Sequence, residues 1–144
     1  MKYICDFTKI SKNDAHVAGG KGASLGEMIK AGLPVPPGFV ILSTAYERFI
    51  DEANLRNKIG VILKLLHSKN KNIDSIEKYS QKIRTLMLKS EIPQDITQEI
   101  VDGYNKLCTK YVAVRSSATA EDSASDAWAG QLESYLNTTK RMLL

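Results

Sequence analysis

Residues 112–122 read VAVRSSATAED: a β-branched apolar run that ends on an arginine, then two serines, a small-residue stretch and two acids. With Tyr111 the run reads as a strand, YVAVR. If that strand is buried, Arg115 emerges at its carboxyl end, which is where open α/β sheets place ligands. The planar guanidinium fork suits two phosphate oxygens better than a lysine does. Ser116 and Ser117 add hydroxyls at the same place, and the alanines allow close approach of a ligand or a second domain. The segment equally permits a plain ion pair between Arg115 and Glu121 or Asp122. Read alone, it does not choose.

Upstream, residues 19–26 read GGKGASLG. The stretch is not a GxxxxGK[ST] phosphate loop, because position 15 is alanine and Gly22 follows the lysine. Nor is it a dinucleotide loop, since Gly20, Gly22 and Gly26 are spaced GxGxxxG. Glycines before a helix still expose backbone N–H groups, and Lys21 sits among them as a cation, a combination that favours phosphate. A plain glycine-rich helix start with a solvated lysine is the alternative. Downstream, DAWAGQLES (126–134) offers Gly130, where backbone can approach a ligand, and the Ser134 hydroxyl. Trp128 reads as a core residue or as a cover for a base. His16 and His67 lack partners at ligand spacing, and His67 belongs to a helix end.

The intervening pattern predicts an α+β chain. KYICDF is a strand. Gly19 and Gly20 break the chain before a helix on Ala23, Leu25, Met28 and Ile29, which Gly32 stops. The prolines of LPVPPG force an extended path into FVIL, a buried strand. Thr44 and Glu47 form a capping box for a helix carrying Tyr46, Phe49 and Ile50. Helical faces follow on Leu55, Ile59, Ile62 and Leu66, on Ile76, Tyr79, Ile83 and Leu86 with Asp74 and Glu77 as caps, and on Ile96, Ile100, Tyr104 and Leu107. After YVAVR comes a strand in QLESYLN, giving the order β–α–β–α–α–α–β–β.

The 144 residues, 43% hydrophobic, amount to one domain with a core. The net charge of +4 is uneven: residues 1–52 carry six basic and six acidic side chains, whereas 53–110 carry eleven against six. Lysines between apolar helix positions make a solvated face, and no nucleic-acid module accompanies them. No apolar run approaches the roughly 20 residues of a membrane span, and the N-terminus is too short and polar for a signal peptide. Cys5 and Cys108 lack ligand spacing and read as reduced thiols packed as small hydrophobes, with the cytoplasm as the default location.

GGKGASLGEM, GLPVPPGFVILSTAYERF, VAVRSSATAED and AGQLESYLN, in this order, resemble the amino-terminal part of the phosphoenolpyruvate synthase and pyruvate phosphate dikinase family. Rifampin phosphotransferases and plant glucan, water dikinases share that region. The resemblance implies that residues 1–144 form one partial ATP/AMP-binding domain, the N-terminal subdomain of an ATP-grasp fold with a mixed sheet and a helical stretch at 53–110. It implies ATP with Mg2+ as cofactor and transfer of a phosphoryl group through a phosphohistidine to pyruvate. Lys21 and Arg115 would bind ATP phosphates, Gly130 would lie in the loop over them and Ser134 beside it. Gly19, Gly20, Gly22, Ser116 and Ser117 would support. The second subdomain with the magnesium ligands, the phosphohistidine domain and the phosphoenolpyruvate/pyruvate domain have no counterpart here, so neither His16 nor His67 is the phosphocarrier. NTTKRMLL ends without a cap, as a truncated chain would, and such a piece would be inactive alone. Ala127 and Trp128 stand where relatives carry Ser and Phe. An antibiotic-phosphotransferase piece and a non-catalytic nucleotide-binding module are the alternatives.

Overall fold

The computed structural model describes residues 2–68, 72–119 and 132–142. Among the described residues the chain forms β1 (Ile4–Asp6), α1 (Ala15–Lys30), β2 (Phe39–Ile41), α2 (Ser43–Glu52), α3 (Leu55–Ser68), α4 (Ile73–Leu88), α5 (Gln94–Lys106), β3 (Val112–Arg115) and β4 (Ser134–Thr138). The class is mixed α and β, as the sequence predicts. The sheet is not. Instead of one mixed sheet, β1 pairs with β2 and β3 with β4, each antiparallel. Four helices separate β2 from β3, one for each of the four apolar faces read from the sequence and one more than the order β–α–β–α–α–α–β–β counts; Asn54, at a left-handed φ of 50°, lies between α2 and α3. Two compact units result, residues 1–45 with 94–144, and residues 46–93.

In the first unit, β1 and β2 run in the register Ile4–Ile41, Cys5–Val40 and Asp6–Phe39. The expected burial of FVIL is only half realised, since Phe39 and Val40 are half-buried and Ile41 is exposed. Phe39 packs toward α5 and Val40 toward α1, so both faces are partly covered and the exposure falls on Ile41. Tyr3, Ile4, Ala45, Ile96 and Ile100 form the core, with Phe39 against it. Gly103 of α5 lets that helix lie close on β1: a β-carbon there would stand 2.6 Å from Ile4 Cδ1 and 3.0 Å from Phe39 Cε1. The Glu99 carboxylate of α5 accepts from the Lys2 and Tyr3 N–H groups at 2.9 Å. Desolvation pushes its pKa up, but the N–H groups of Lys2, Tyr3 and Ile4 together outweigh it and hold the carboxyl below its ordinary value.

The polar stretch before α1 holds a capping box that the sequence reading passed over. Ser11 N–H donates to Asp14 Oδ2 at 2.8 Å and the Ser11 side chain accepts from the backbone in return. At its far end α1 stops as expected. Gly32 (φ 75°) gives its N–H to Ile29 O and Leu33 its N–H to Met28 O, at 2.9 and 3.0 Å, the paired bonds of a Schellman stop. Cys5 is half-buried, but Cys108 is exposed at a φ of 50° beyond α5, so it is not packed as the sequence suggests.

In the second unit α3 packs against α4. Leu55, Ile59, Ile62 and Leu66 are the sheltered face of α3, as predicted, with Leu55 wholly buried. On α4, Tyr79 is buried and Ile83 and Leu86 half-buried, whereas Ile76 is 44% exposed. Two expected caps differ. α2 begins at Ser43, one residue before the proposed Thr44 cap, and Glu47 pairs instead with Arg56 at 2.5 Å. α4 is capped by Asn72, whose side chain accepts from Ser75 N–H at 2.9 Å, with Asp74 inside the first turn.

Two helical glycines separate close packing from propensity. In Gly26→Ala the new methyl would overlap the Ile10 carbonyl oxygen and stand 2.8 Å from its carbon, so a loss of about 1–3 kcal/mol is expected. Nothing lies within 4 Å of such a carbon at Gly60, and Gly60→Ala should raise stability by up to about 1 kcal/mol. Urea titrations of both variants check the opposite signs. Glu99 sets an acid limit. Its folded pKa is depressed, so its contribution is present above the unfolded value of about 4.3 and is lost as pH falls through the folded one. Glu99→Gln should therefore cost on the order of 1 kcal/mol at pH 7, the low end for a charge-assisted bond at a half-exposed carboxylate. Thermal melts from pH 7 to pH 3 should show that gap closing.

Candidate functional site

The two motifs richest in phosphate chemistry meet in the first unit. α1 is interrupted at Gly19, whose φ of 72° and ψ of 163° are non-helical and open essentially to glycine alone. Gly20 resumes the helix and donates its N–H to the Ala118 carbonyl at 3.3 Å. A β-carbon on residue 19 would overlap Ser117 Oγ and lie 3.0 Å from Ser117 Cβ. GGK and SSA are thus in direct contact. The break predicted over Gly19 and Gly20 falls on Gly19 alone, because the Ala118 carbonyl satisfies the first N–H of the resumed helix. That N–H is consequently engaged by protein, not offered to a ligand. Lys21, half-buried, follows immediately.

The other glycines of α1 answer a packing need. Gly22 faces Val40 of β2, where a β-carbon would stand 2.8 Å from Cγ2, and Gly26 faces Ile10. Residues 22 and 26 recur at helical spacing, and Gly19 stands at the break just before them. One stripe of the resumed helix is therefore approached by β2 and by the Ile10 backbone, while the 117–118 segment meets the break at Gly19, and Lys21 lies between Gly20 and Gly22.

Arg115 ends β3 opposite Ser134, which opens β4. Ser116 N–H extends the ladder to Glu133 O at 3.0 Å, and the Tyr135 hydroxyl hydrogen-bonds the Glu133 carboxylate. β3 is not buried on both faces. Val112 and Val114 are half-covered, while Ala113 and Arg115 are exposed. The arginine thus sits on the solvent side of a two-stranded ribbon, with the Ser134 hydroxyl across from it. Tyr104 of α5 steadies the entry to β3 by donating to Lys110 O at 2.7 Å. Between Val112 and Val114 the register shifts, and Asn137 in the facing strand has a φ of 55°, the signature of a bulge.

The structure therefore brings Gly19 against Ser117 and Gly20 against Ala118, with Arg115 and Ser134 paired on the adjoining ribbon; Lys21 follows Gly20 in the chain. It leaves Gly22 packed on β2. Gly130, Trp128, Ala127, Glu121 and Asp122 lie outside the described residues. His16 is exposed, its Nδ1 3.0 Å from Asn13 O, and His67 lies in the last turn of α3 in the other unit. Among the described residues no group of three or more His, Cys, Asp or Glu side chains could hold a metal ion. What the motifs did not announce is the contact itself. Only the smallness of Ser117 and Ala118 hinted at close approach, and nothing in the sequence pairs them with Gly19.

The family model for the pyruvate phosphate dikinase AMP/ATP-binding domain matches residues 15–144, which include every element of this juncture. The chain belongs to that family. It is 48% identical over 143 residues to a probable phosphoenolpyruvate synthase of Methanocaldococcus jannaschii, covering 95% of this chain and 12% of that protein. It is 39% identical over 144 residues to a probable phosphoenolpyruvate synthase of Methanothermobacter thermautotrophicus, covering 95% of this chain and 21% of that one. With the phosphoenolpyruvate synthase of Aeropyrum pernix the identity is 45% over 135 residues, at 90% and 16% coverage. The chain thus spans between 12% and 21% of the length of these relatives. No described helix is long and apolar enough to cross a membrane.

Gly19 carries the juncture, so Gly19→Ala should destabilise by about 1–3 kcal/mol through its positive φ and the overlap with Ser117. Adding Ser117→Gly should recover only the part due to overlap, leaving the backbone strain. Denaturant titrations of both single variants and the pair check the expected partial rescue.

Proposed function

We propose that this chain binds the phosphates of ATP as the amino-terminal, ATP-grasp part of a phosphoenolpyruvate synthase-type phosphotransferase. Lys21 and Arg115 neutralise phosphate charge, and the Ser116 and Ser134 hydroxyls and the Gly130 loop complete the cradle. The observation that supports this reading best is the direct contact between the Gly19–Gly20 turn and Ser117–Ala118, in a chain of the AMP/ATP-binding family. That contact joins two cation-bearing segments, nearly a hundred residues apart in sequence, within one unit.

The chemistry suits such residues. Phosphoryl transfer needs little covalent help from protein; it needs positioning and positive charge where negative charge spreads over the transferred group. In this reading the phosphoryl group passes from ATP to a histidine nitrogen and then to pyruvate, and neither His16 nor His67 is assigned as that histidine. Magnesium is not assigned to the described residues, which hold no matching ligand cluster.

An ATP titration followed by amide NMR shifts tests the reading. Shifts should gather at residues 20–22 and 115–117. Lys21→Ala and Arg115→Ala should each weaken binding about ten- to a hundredfold, the usual effect of losing one charge-assisted contact. Lys89→Ala, in the other unit, should leave it unchanged. Equal affinity in all three variants would sink the assignment.

A further inference from the structure

The Gly19–Ser117 contact has a shape that a mere chance touch would not need. Position 19 lacks a β-carbon, and the space which that atom would take is occupied by the Ser117 side chain. One residue on, Gly20 N–H is tied to Ala118 O at 3.3 Å. Two residues before Ser117 stands Arg115, and one after Gly20 stands Lys21. The separation of the two backbones at this seam therefore fixes how closely the segments that carry the two cations approach. A side chain larger than serine at 117 would push the backbones apart and strain the Gly20–Ala118 hydrogen bond. The serine hydroxyl itself is directed at the Gly19 backbone.

We infer that Ser117 is a positioning residue: its small size sets the distance between Lys21 and Arg115, so that both reach one polyphosphate, and its hydroxyl is not a phosphate ligand. This rests on the nucleotide reading above and refines it, by giving Ser117 a role apart from Ser116 and Ser134. Misplacement by about 1 Å of groups that must act together is enough to cost up to a hundredfold in a positioned reaction.

The test uses the 144-residue chain, amide hydrogen exchange and NMR titration with ATP. In the wild type the Gly20 amide should exchange slowly. Ser117→Ala keeps the β-carbon and should bind ATP within about threefold of wild type, with Gly20 still protected. Ser117→Val should lose the Gly20 protection and weaken ATP at least about tenfold. In that background Lys21→Ala should cost less than about threefold, because the cation is already misplaced. Ser117→Thr replaces Ser117→Val if the latter gives no dispersed spectrum. A tenfold loss in Ser117→Ala makes the hydroxyl a ligand and overturns the proposal; so does wild-type affinity in Ser117→Val. Fast Gly20 exchange in the wild type removes the seam itself. A protected Gly20 with no ATP shift at Lys21 or Arg115 removes the nucleotide reading instead, and the positioning role falls with it while the seam stands.

Discussion

At residue 19 the chain takes a backbone conformation open essentially to glycine, and at residue 20 it hands its N–H to a carbonyl nearly a hundred residues away. Hydrogen bonds of that kind are modest singly, roughly 1 kcal/mol net. Their positional consequence is larger. Before Gly19 the helical turn of residues 15–18 runs on from a serine–aspartate box; after it, residues 20–30 run to a Schellman stop. The longer part is held on one stripe by two neighbours, Val40 and Ile10, that leave no room for a methyl group. A helix fixed in this way cannot roll, and the lysine beside the stripe is carried with it.

Much of this was legible in the sequence, and the reasons for the misses are physical. Helical faces are local, and the apolar positions 55, 59, 62 and 66, or 96, 100, 104 and 107, point the same way whatever surrounds them. Caps are local too but competitive. Glu47 could close a box with Thr44 or reach Arg56, and the ion pair won. Strand pairing is not local at all. FVIL reads as buried from its own residues, yet burial depends on what covers each position along the strand, and here Phe39 and Val40 find partial cover while Ile41 is left exposed. The same holds at the juncture. GGKG suggested phosphate and SSA suggested room, but that each fits the other follows only from bringing their backbones together. The glycines read as a ligand loop divide into one that turns the chain, one that gives its N–H to Ala118 and two that pack.

The charge distribution divides along the same lines. The basic surplus of residues 53–110 falls largely on exposed helix positions of the second unit, where Arg56 bridges Glu47 and Asp51 at 2.5 and 2.8 Å. Such exposed pairs contribute little to stability. Arg115 and Lys21 belong instead to the first unit, on the two segments that meet at Gly19 and Ser117.

The irregularity in β4 has a consequence for reading that strand. A regular strand presents positions four apart to the same side. Here Ser134 is exposed and Thr138 is 3% exposed, with the left-handed Asn137 between them. The extra residue acts as a phase shift in the alternation: it lets one short strand put a hydroxyl outward beside Arg115 and, four residues later, another hydroxyl inward.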